Sequence, residues 1–194
     1  MSPIDTARIE AAVAEIIAAI GDDPARPGLA TTPQRVASAY ADFFAGVGVD
    51  PVPMLEDGAE MATEPGERGE LVVLRDIALR SMCEHHLLPF TGVAHVAYVP
   101  NERIIGLGRI PALVEVVSAR PQLQERLGED VAAALDAAVR PHGVLVVVDA
   151  RHGCVAARGV RYADSSTVTV AARGTLAEPE QQAAVMALIG RGAA

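Results

Sequence analysis

Two short segments of the sequence hold most of the side chains that could bind a metal ion. "SMCEHHLLPF" contains Cys83, His85 and His86, and "DARHGCVAARGV" contains His152 and Cys154. The chain has only two cysteines and five histidines, so both cysteines and three histidines fall in these segments. Zn²⁺ prefers thiolate and imidazole ligands in a tetrahedral arrangement. The pattern therefore predicts one zinc site that is built from two distant parts of the chain.

The spacing favours an open site over a closed structural one. A Cys-x-x-His turn readily places Cys83 and His86 on one ion, and Cys154 would be a third ligand, which leaves the fourth position to water. His85 and His152 could complete a structural site, but as uncommitted groups they suit acid and base chemistry near neutral pH. An isolated cysteine or histidine more often simply packs, and it is the coincidence of two clusters that favours a metal.

Charged residues near these segments are weaker candidates. Glu125 in "RPQLQERL" is a potential acidic contact, and the alternative for it is a solvated helix face. Arg35, Arg109 and Arg158 would form an anion site if the fold brought them together, because guanidinium groups bind phosphate in forked pairs. Each arginine alone is more typical of a surface residue.

Composition excludes several classes of protein. The 194 residues are 51% hydrophobic but 3% aromatic, so the core must be built from Ala, Val, Leu and Ile. The net charge of −9 disfavours a nucleic-acid partner, and no apolar stretch is long enough to predict a membrane span. The N-terminus does not resemble a secretory signal. We therefore expect a cytoplasmic protein, where a cysteine pair more often binds metal or takes part in catalysis than forms a disulfide.

Hydrophobic periodicity predicts an α+β fold in two parts. Residues 1–69 are expected to form an N-terminal helical segment and linker, with helices at 4–20 and from the N-cap Thr32 to about Gly46. The second part, 70–194, is expected to contain strands, two helices, strands and a last helix, at 70–79, 91–100, 111–119, 121–140, 142–153, 164–174 and 178–189. This order predicts antiparallel hairpins with the two central helices on one face.

Together these segments resemble the GTP cyclohydrolase I family. "CEHHLLPFTGVAHVAYVPNERIIGL", "RPQLQERL", "HGCVAARGVR" and "SSTVTVAARG" match the family pattern in order and spacing, and "IGDDPARPGLATTPQRVASAY" resembles its N-terminal helical segment. The resemblance implies a tunnelling fold for 70–194: a four-stranded antiparallel sheet with two helices, whose copies close into a barrel. It also implies a homodecamer made of two pentamers, with sites at subunit boundaries.

The resemblance also implies the chemistry. The zinc ligands would be Cys83, His86 and Cys154, and the catalytic residues His85 and His152. Zinc would make water a nucleophile at neutral pH. The implied reaction opens the imidazole ring of the guanine of GTP at C8, releases formate and recloses the product to 7,8-dihydroneopterin triphosphate.

Five residues would contact the substrate. By position in the family motifs, Glu125, with Gln124 before it, would recognise guanine. Arg158 and Arg35 would contact the triphosphate. Arg109 stands where the family usually has a lysine, in a segment that closes over the ribose and triphosphate. A carboxylate such as Glu125 accepts hydrogen bonds from the guanine N1–H and 2-amino group, which adenine cannot supply.

The sequence departs from the family pattern in that same segment. The family reads Gly-Leu-Ser-Lys, two residues and an arginine, whereas "GLGRIPALV" has Gly108 for the serine and Ala112 for the arginine. Ser38 and Val93 also stand where many members carry lysine. All 16 basic residues here are arginine, so the loss at Ala112 is not a compositional effect. Each missing charge-assisted bond would cost about 1.5–3 kcal/mol of phosphate binding.

Three hypotheses follow. The first is a GTP cyclohydrolase I whose phosphate site is rebuilt from other arginines, such as Arg103 or Arg161. The second is a divergent paralogue that performs the same chemistry on another guanine nucleotide, one with fewer phosphates. The third is a non-catalytic, zinc-stabilised oligomer. The presence of both His85 and His152 argues against the third, because a structural metal site has no need of them.

Overall fold

The structure, a computed structural model, describes residues 4–56, 59–60, 69–157 and 165–190. Its helices are α1 (Thr6–Ala19), α2 (Thr32–Phe43), α3 (Pro53–Glu56), α4 (Arg109–Ser118), α5 (Gln124–Val139), α6 (Gly153–Ala156) and α7 (Pro179–Gly190). Its strands are β1 (Ala59–Glu60), β2 (Val72–Cys83), β3 (Pro89–Val99), β4 (Arg103–Ile104), β5 (Pro121–Gln122), β6 (Gly143–His152) and β7 (Thr167–Gly174). None of the helices in these ranges is both long and apolar enough to cross a bilayer.

The main sheet has the strand order β5-β2-β3-β6-β7. The four long strands pair antiparallel, as predicted, but β5 runs parallel to β2 through the pairs Met82↔Pro121 and Cys83↔Gln122. The prediction of a four-stranded antiparallel sheet was therefore wrong in strand number and direction. The chain passes the edge of β2 between α4 and α5, and a pairing of two residues leaves no periodic pattern in the sequence.

Helices α4 and α5 lie on one face of the sheet, as predicted. The alternating residues Val144, Val146 and Val148 of β6 face that side and join a core that is mainly aliphatic. Leu145 and Val147 point to the opposite face, where they form a smaller cluster with residues that follow β7. Because successive strand residues alternate between faces, β6 is buried on both sides.

The N-terminal part is helical, with two differences from the predicted pattern. Asp5 caps α1 by accepting a hydrogen bond from the Arg8 N–H at 3.0 Å. The N-cap of α2 is Thr31 rather than Thr32, and its side chain makes no capping bond. The segment expected to be a linker contains α3, whose Leu55 is fully buried in the main core.

Candidate metal centre

Three predicted ligands form a compact cluster. Cys83 ends β2, His86 lies in the turn between β2 and β3, and Cys154 lies in α6. Their potential ligand atoms are all within 4.8 Å of one another, with Cys83 Sγ 4.0 Å from His86 Nδ1. No disulfide joins the cysteines. Cys83 is buried and His86 exposed, so two thiols and an imidazole converge at the protein surface. This donor set and spacing fit one zinc ion.

Backbone hydrogen bonds hold the turn that carries His85 and His86. The Cys83 N–H donates to the Leu88 carbonyl at 2.9 Å, and the Leu87 N–H donates to the Cys83 carbonyl at 2.8 Å. The Glu84 N–H donates to the carbonyl of Gln122, in β5, at 3.1 Å. The short strand β5 therefore fixes the position of the turn against the start of α5.

The register of β3 and β6 brings the second segment to the first. Phe90 is directly opposite His152, the last residue of β6. Gly153 then passes so close to β3 that a Cβ atom there would lie 2.7 Å from the Pro89 carbonyl oxygen. A larger residue at this position would push the strands apart, so the glycine is what allows Cys154 to reach the turn.

His152 is held by a ring contact and a hydrogen bond. Its ring stacks on Phe90, with centroids 4.7 Å apart and planes inclined by 14°. Its Nε2 atom is 2.7 Å from Oε1 of Gln124. Burial lowers the pKa of His152 below the ordinary histidine value, and the negative charge of Glu125 opposes this only in part. The neutral imidazole is therefore favoured near neutral pH.

The buried residue Gln124 connects His152 to two strands. Its side-chain nitrogen lies 2.9 Å from the Val148 carbonyl, 2.8 Å from the Thr167 carbonyl and 3.2 Å from the Thr169 hydroxyl. It is only 1% exposed. Sequence reasoning named Gln124 as a substrate contact, and no pattern in the sequence indicated its bonds to β6 and β7.

The other predicted residues of this region lie at its surface. His85 is exposed in the turn, with its ring 6.2 Å from that of His86 and nearly perpendicular to it. Glu125 is exposed in the first turn of α5. We call Cys83, His85, His86, His152 and Cys154 the metal corner.

An ion pair beside the metal corner was missed by the sequence analysis. Arg126 donates to both carboxylate oxygens of Glu84, at 2.6 and 3.3 Å. This bond ties the turn to α5 next to Glu125. Glu84 and Arg126 are 42 residues apart in the chain, and nothing in their spacing indicates that they meet.

The arginines predicted to contact phosphate do not form a cluster with the metal corner in the described part of the chain. Arg35 lies in α2 and Arg109 begins α4, both exposed, and Arg158 is outside the described residues. Arg161 is also outside them. The guanidinium of Arg103 donates to the Glu56 carbonyl at the end of α3. The roles of these arginines stay predictions.

A cleft of about 950 Å³ lies between α2, β2 and α4. We call it the α4 cleft. The cleft is lined by Gly108, the N-cap of α4, and by Ala112 within α4, the two departures from the family pattern in this segment. No residue of the metal corner lines it. Ala112 therefore leaves the cleft wall without the cation that the resemblance implies at this position.

Comparison with known proteins identifies relatives along almost the whole chain. A family model described as GTP cyclohydrolase I matches residues 9–190. The GTP cyclohydrolase 1 of Leifsonia xyli subsp. xyli is 58% identical over 194 residues, which cover 100% of both chains. That of Caldanaerobacter subterraneus subsp. tengcongensis is 48% identical over 188 residues, covering 96% of this chain and 97% of the relative. That of Rhodopirellula baltica is 46% identical over 192 residues, covering 98% and 81%.

Among solved structures, the chain is similar to an archaeosine synthase QueF-Like in the apo form. The TM-score is 0.46 and the sequence identity 23%, over 58% of this chain and 97% of that one. This likeness is too distant to bear on function.

Proposed function

The chain belongs to the GTP cyclohydrolase I family, and we propose that it opens the guanine ring of GTP with a zinc ion held in the metal corner. The product would be 7,8-dihydroneopterin triphosphate, and formate would be released. The observation that carries the proposal is the convergence of Cys83, His86 and Cys154 within 4.8 Å, beside His152. Family membership supports the reaction, and this cluster supports the metal corner as its proposed location.

The protein would hold zinc through the two thiolates and one imidazole of the cluster. Cys83 is buried and would anchor the ion on the protein side, while the exposed His86 would face the solvent side. When bound, zinc supplies Lewis acidity, which makes water nucleophilic at neutral pH. A set of three protein ligands leaves room for water, as catalytic zinc sites do.

Two histidines would move protons during the reaction. His152 lies at the inner side of the metal corner, with its ring fixed between Phe90 and Gln124. His85 lies on the exposed turn. We propose that His152 exchanges a proton with the imidazole ring of the guanine, and that His85 serves later proton transfers. General acid and base groups of this kind typically contribute about 10²- to 10⁴-fold in rate.

Glu125 would select guanine. Its exposed carboxylate at the start of α5 can accept two hydrogen bonds, from N1–H and from the 2-amino group. A site that is built to accept these bonds rejects a base that lacks the donors, because its own polar groups would be left unpaired. Arg35, Arg109 and Arg158 are the proposed contacts to the triphosphate.

A second candidate function is favoured by one observation. Gly108 and Ala112 line the α4 cleft at the positions where serine and arginine are expected. A weaker phosphate site would shift the preference towards a guanine nucleotide with fewer phosphates. The chemistry in the metal corner would be the same in both cases.

We further propose that the chain assembles into a decamer of two pentamers. β7 is at the edge of the sheet, with Val168 54% and Val170 47% exposed, and in the described ranges β5 covers only the last two residues of β2. Open strand edges of this length favour pairing with another chain. Light scattering of purified protein tests this, and a monomer at micromolar concentration would contradict it. A cytoplasmic location, and the absence of nucleic-acid and membrane partners, remain predictions.

The decisive experiment measures formate and pterin formation by metal-analysed protein supplied with GTP, GDP and GMP. We expect about one zinc per chain and turnover of GTP, both lost in Cys154→Ala. Val155→Ala is the matched control, because Val155 is an exposed neighbour in α6. Turnover of GDP or GMP without GTP would favour the second function. No formate from any of the three nucleotides at full zinc content would overturn the proposal.

A further inference from the structure

The orientation of the Gln124 side-chain amide is determined by its neighbours. One end of the amide lies 2.9 Å from the Val148 carbonyl and 2.8 Å from the Thr167 carbonyl. Backbone carbonyls only accept hydrogen bonds, so this end must be the NH₂ group. The reverse orientation would place the amide oxygen against two carbonyl oxygens in a buried site. β6 and β7 therefore fix which end of the amide faces His152.

The other end of the amide determines the protonation pattern of His152. Gln124 Oε1 is 2.7 Å from His152 Nε2, and an amide oxygen can only accept. In the neutral ring, Nε2 must therefore carry the hydrogen, and Nδ1 is the nitrogen with the lone pair. Stacking on Phe90 keeps the ring in the plane that this bond requires.

We infer that Gln124 is a positioning residue that holds His152 in its Nε2–H tautomer, so that Nδ1 is the nitrogen that exchanges a proton with the substrate. The part concerning substrate rests on the proposed function, whereas the tautomer does not. This inference gives the Gln124 side chain a different task from the guanine contact that the family resemblance implies. The amide is buried and already occupied at both ends, so a contact with guanine would have to break these bonds.

A second buried glutamine provides the control. Gln122 is 2% exposed, and its side-chain nitrogen lies 2.8 Å from Asp130 Oδ2. Its side-chain oxygen has no hydrogen-bond partner in the described part of the chain. Gln122 therefore resembles Gln124 in size and burial, but its amide does not contact a histidine.

The tautomer can be read directly by ¹⁵N NMR of histidine-labelled whole protein in the solid state, where assembly size is no obstacle. A protonated ring nitrogen and an unprotonated one resonate far apart, and loss of a signal in His152→Asn assigns it. We expect wild-type His152 to show a protonated Nε2 and an unprotonated Nδ1 above the pH where the ring titrates. The opposite pattern in the wild type would overturn the inference, whether or not any variant folds.

Variants then test the role in catalysis. In Gln124→Met we expect His152 to lose its single tautomer and kcat to fall by about 10- to 100-fold, with little change in the KM for GTP. Gln122→Met should lower thermal stability and leave the His152 tautomer intact. A raised KM with an unchanged tautomer in Gln124→Met would instead support the guanine contact and refute positioning. If the wild type releases no formate, the proposed function fails while the tautomer is still measured.

Discussion

The metal corner and the α4 cleft differ in how completely this chain builds them. In the metal corner, β2, β3, β6, α5 and α6 each contribute a side chain or backbone bond, and the ring of His152 is fixed on two sides. The α4 cleft is wide, and two of the residues that line it are Gly108 and Ala112. The groups of the metal corner are preorganised, which favours catalysis. In the α4 cleft, Ala112 stands where the family resemblance implies an arginine, so this position carries no positive charge.

This difference indicates that the two ends of the proposed substrate would depend on different parts of the chain. The guanine would meet groups whose positions a single chain determines. Of the proposed triphosphate contacts, Arg35 and Arg109 lie on separate helices, α2 and α4, and Arg158 is outside the described residues. Mutations in the corner should therefore change the rate of the chemistry, and mutations at the cleft should change the preference among nucleotides.

The largest effect is expected from His85→Asn. Removing a group that moves protons should lower kcat by about 10²- to 10⁴-fold, while the zinc content stays the same because the cluster of Cys83, His86 and Cys154 is intact. Formate release and metal analysis measure the two quantities. His142→Asn is the matched control, since His142 lies outside the metal corner. Loss of zinc from His85→Asn would instead make His85 a fourth ligand and favour a structural site.

A smaller effect is expected from Ala112→Arg, which would add to the α4 cleft the positive charge that the family resemblance implies. A new charge-assisted bond to phosphate of about 1.5 kcal/mol would raise the preference for GTP over GMP by about 10-fold. The ratio of kcat/KM for the two nucleotides measures this. Ala112→Gln adds length without charge and should leave the ratio unchanged. An unchanged ratio in Ala112→Arg would mean that the phosphates do not approach this cleft.

The smallest effect concerns stability and comes from His95, whose hydrogen-bond partner Asp76 lines the α4 cleft. The buried His95 accepts a hydrogen bond at Nδ1 from the Asp76 N–H, at 3.1 Å. Burial lowers the pKa of His95; Asp76 and Asp149 oppose this shift and Arg75 adds to it. The unfolded chain therefore binds the proton more readily, so stability is fully present above about pH 6.5 and falls as the pH drops below that value.

The slope of stability against pH can be measured by thermal unfolding between about pH 8 and pH 5. His95→Gln should reduce it, because glutamine can accept the same hydrogen bond without titrating. Acid also protonates metal ligands, so the difference between wild type and variant is the informative quantity. Equal slopes for the two proteins would show that the pH dependence arises in the metal corner or elsewhere, and would contradict the assignment to His95.

Much of the fold was predictable because it rests on local patterns. Period-2 and period-3.6 hydrophobicity gave the long strands and helices, and they recur in the structure in the predicted order. β5 was not predictable, since a pairing of two residues has no period. The ion pair of Glu84 and Arg126 could not be found either, because it depends on where the turn meets α5.

The sequence by itself determined the donor set of the metal corner, since the thiols and imidazoles are chemically distinctive and the spacing of Cys83 and His86 suits one ion. It also determined the family. Only the tertiary structure decided how these groups are oriented. The Gln124 amide is aligned by carbonyls from β6 and β7, and Gly153 passes the Pro89 carbonyl because of the β3–β6 register. Residue types determine which bonds are available, but hydrogen bonds are directional, so their geometry is set only when distant strands pair.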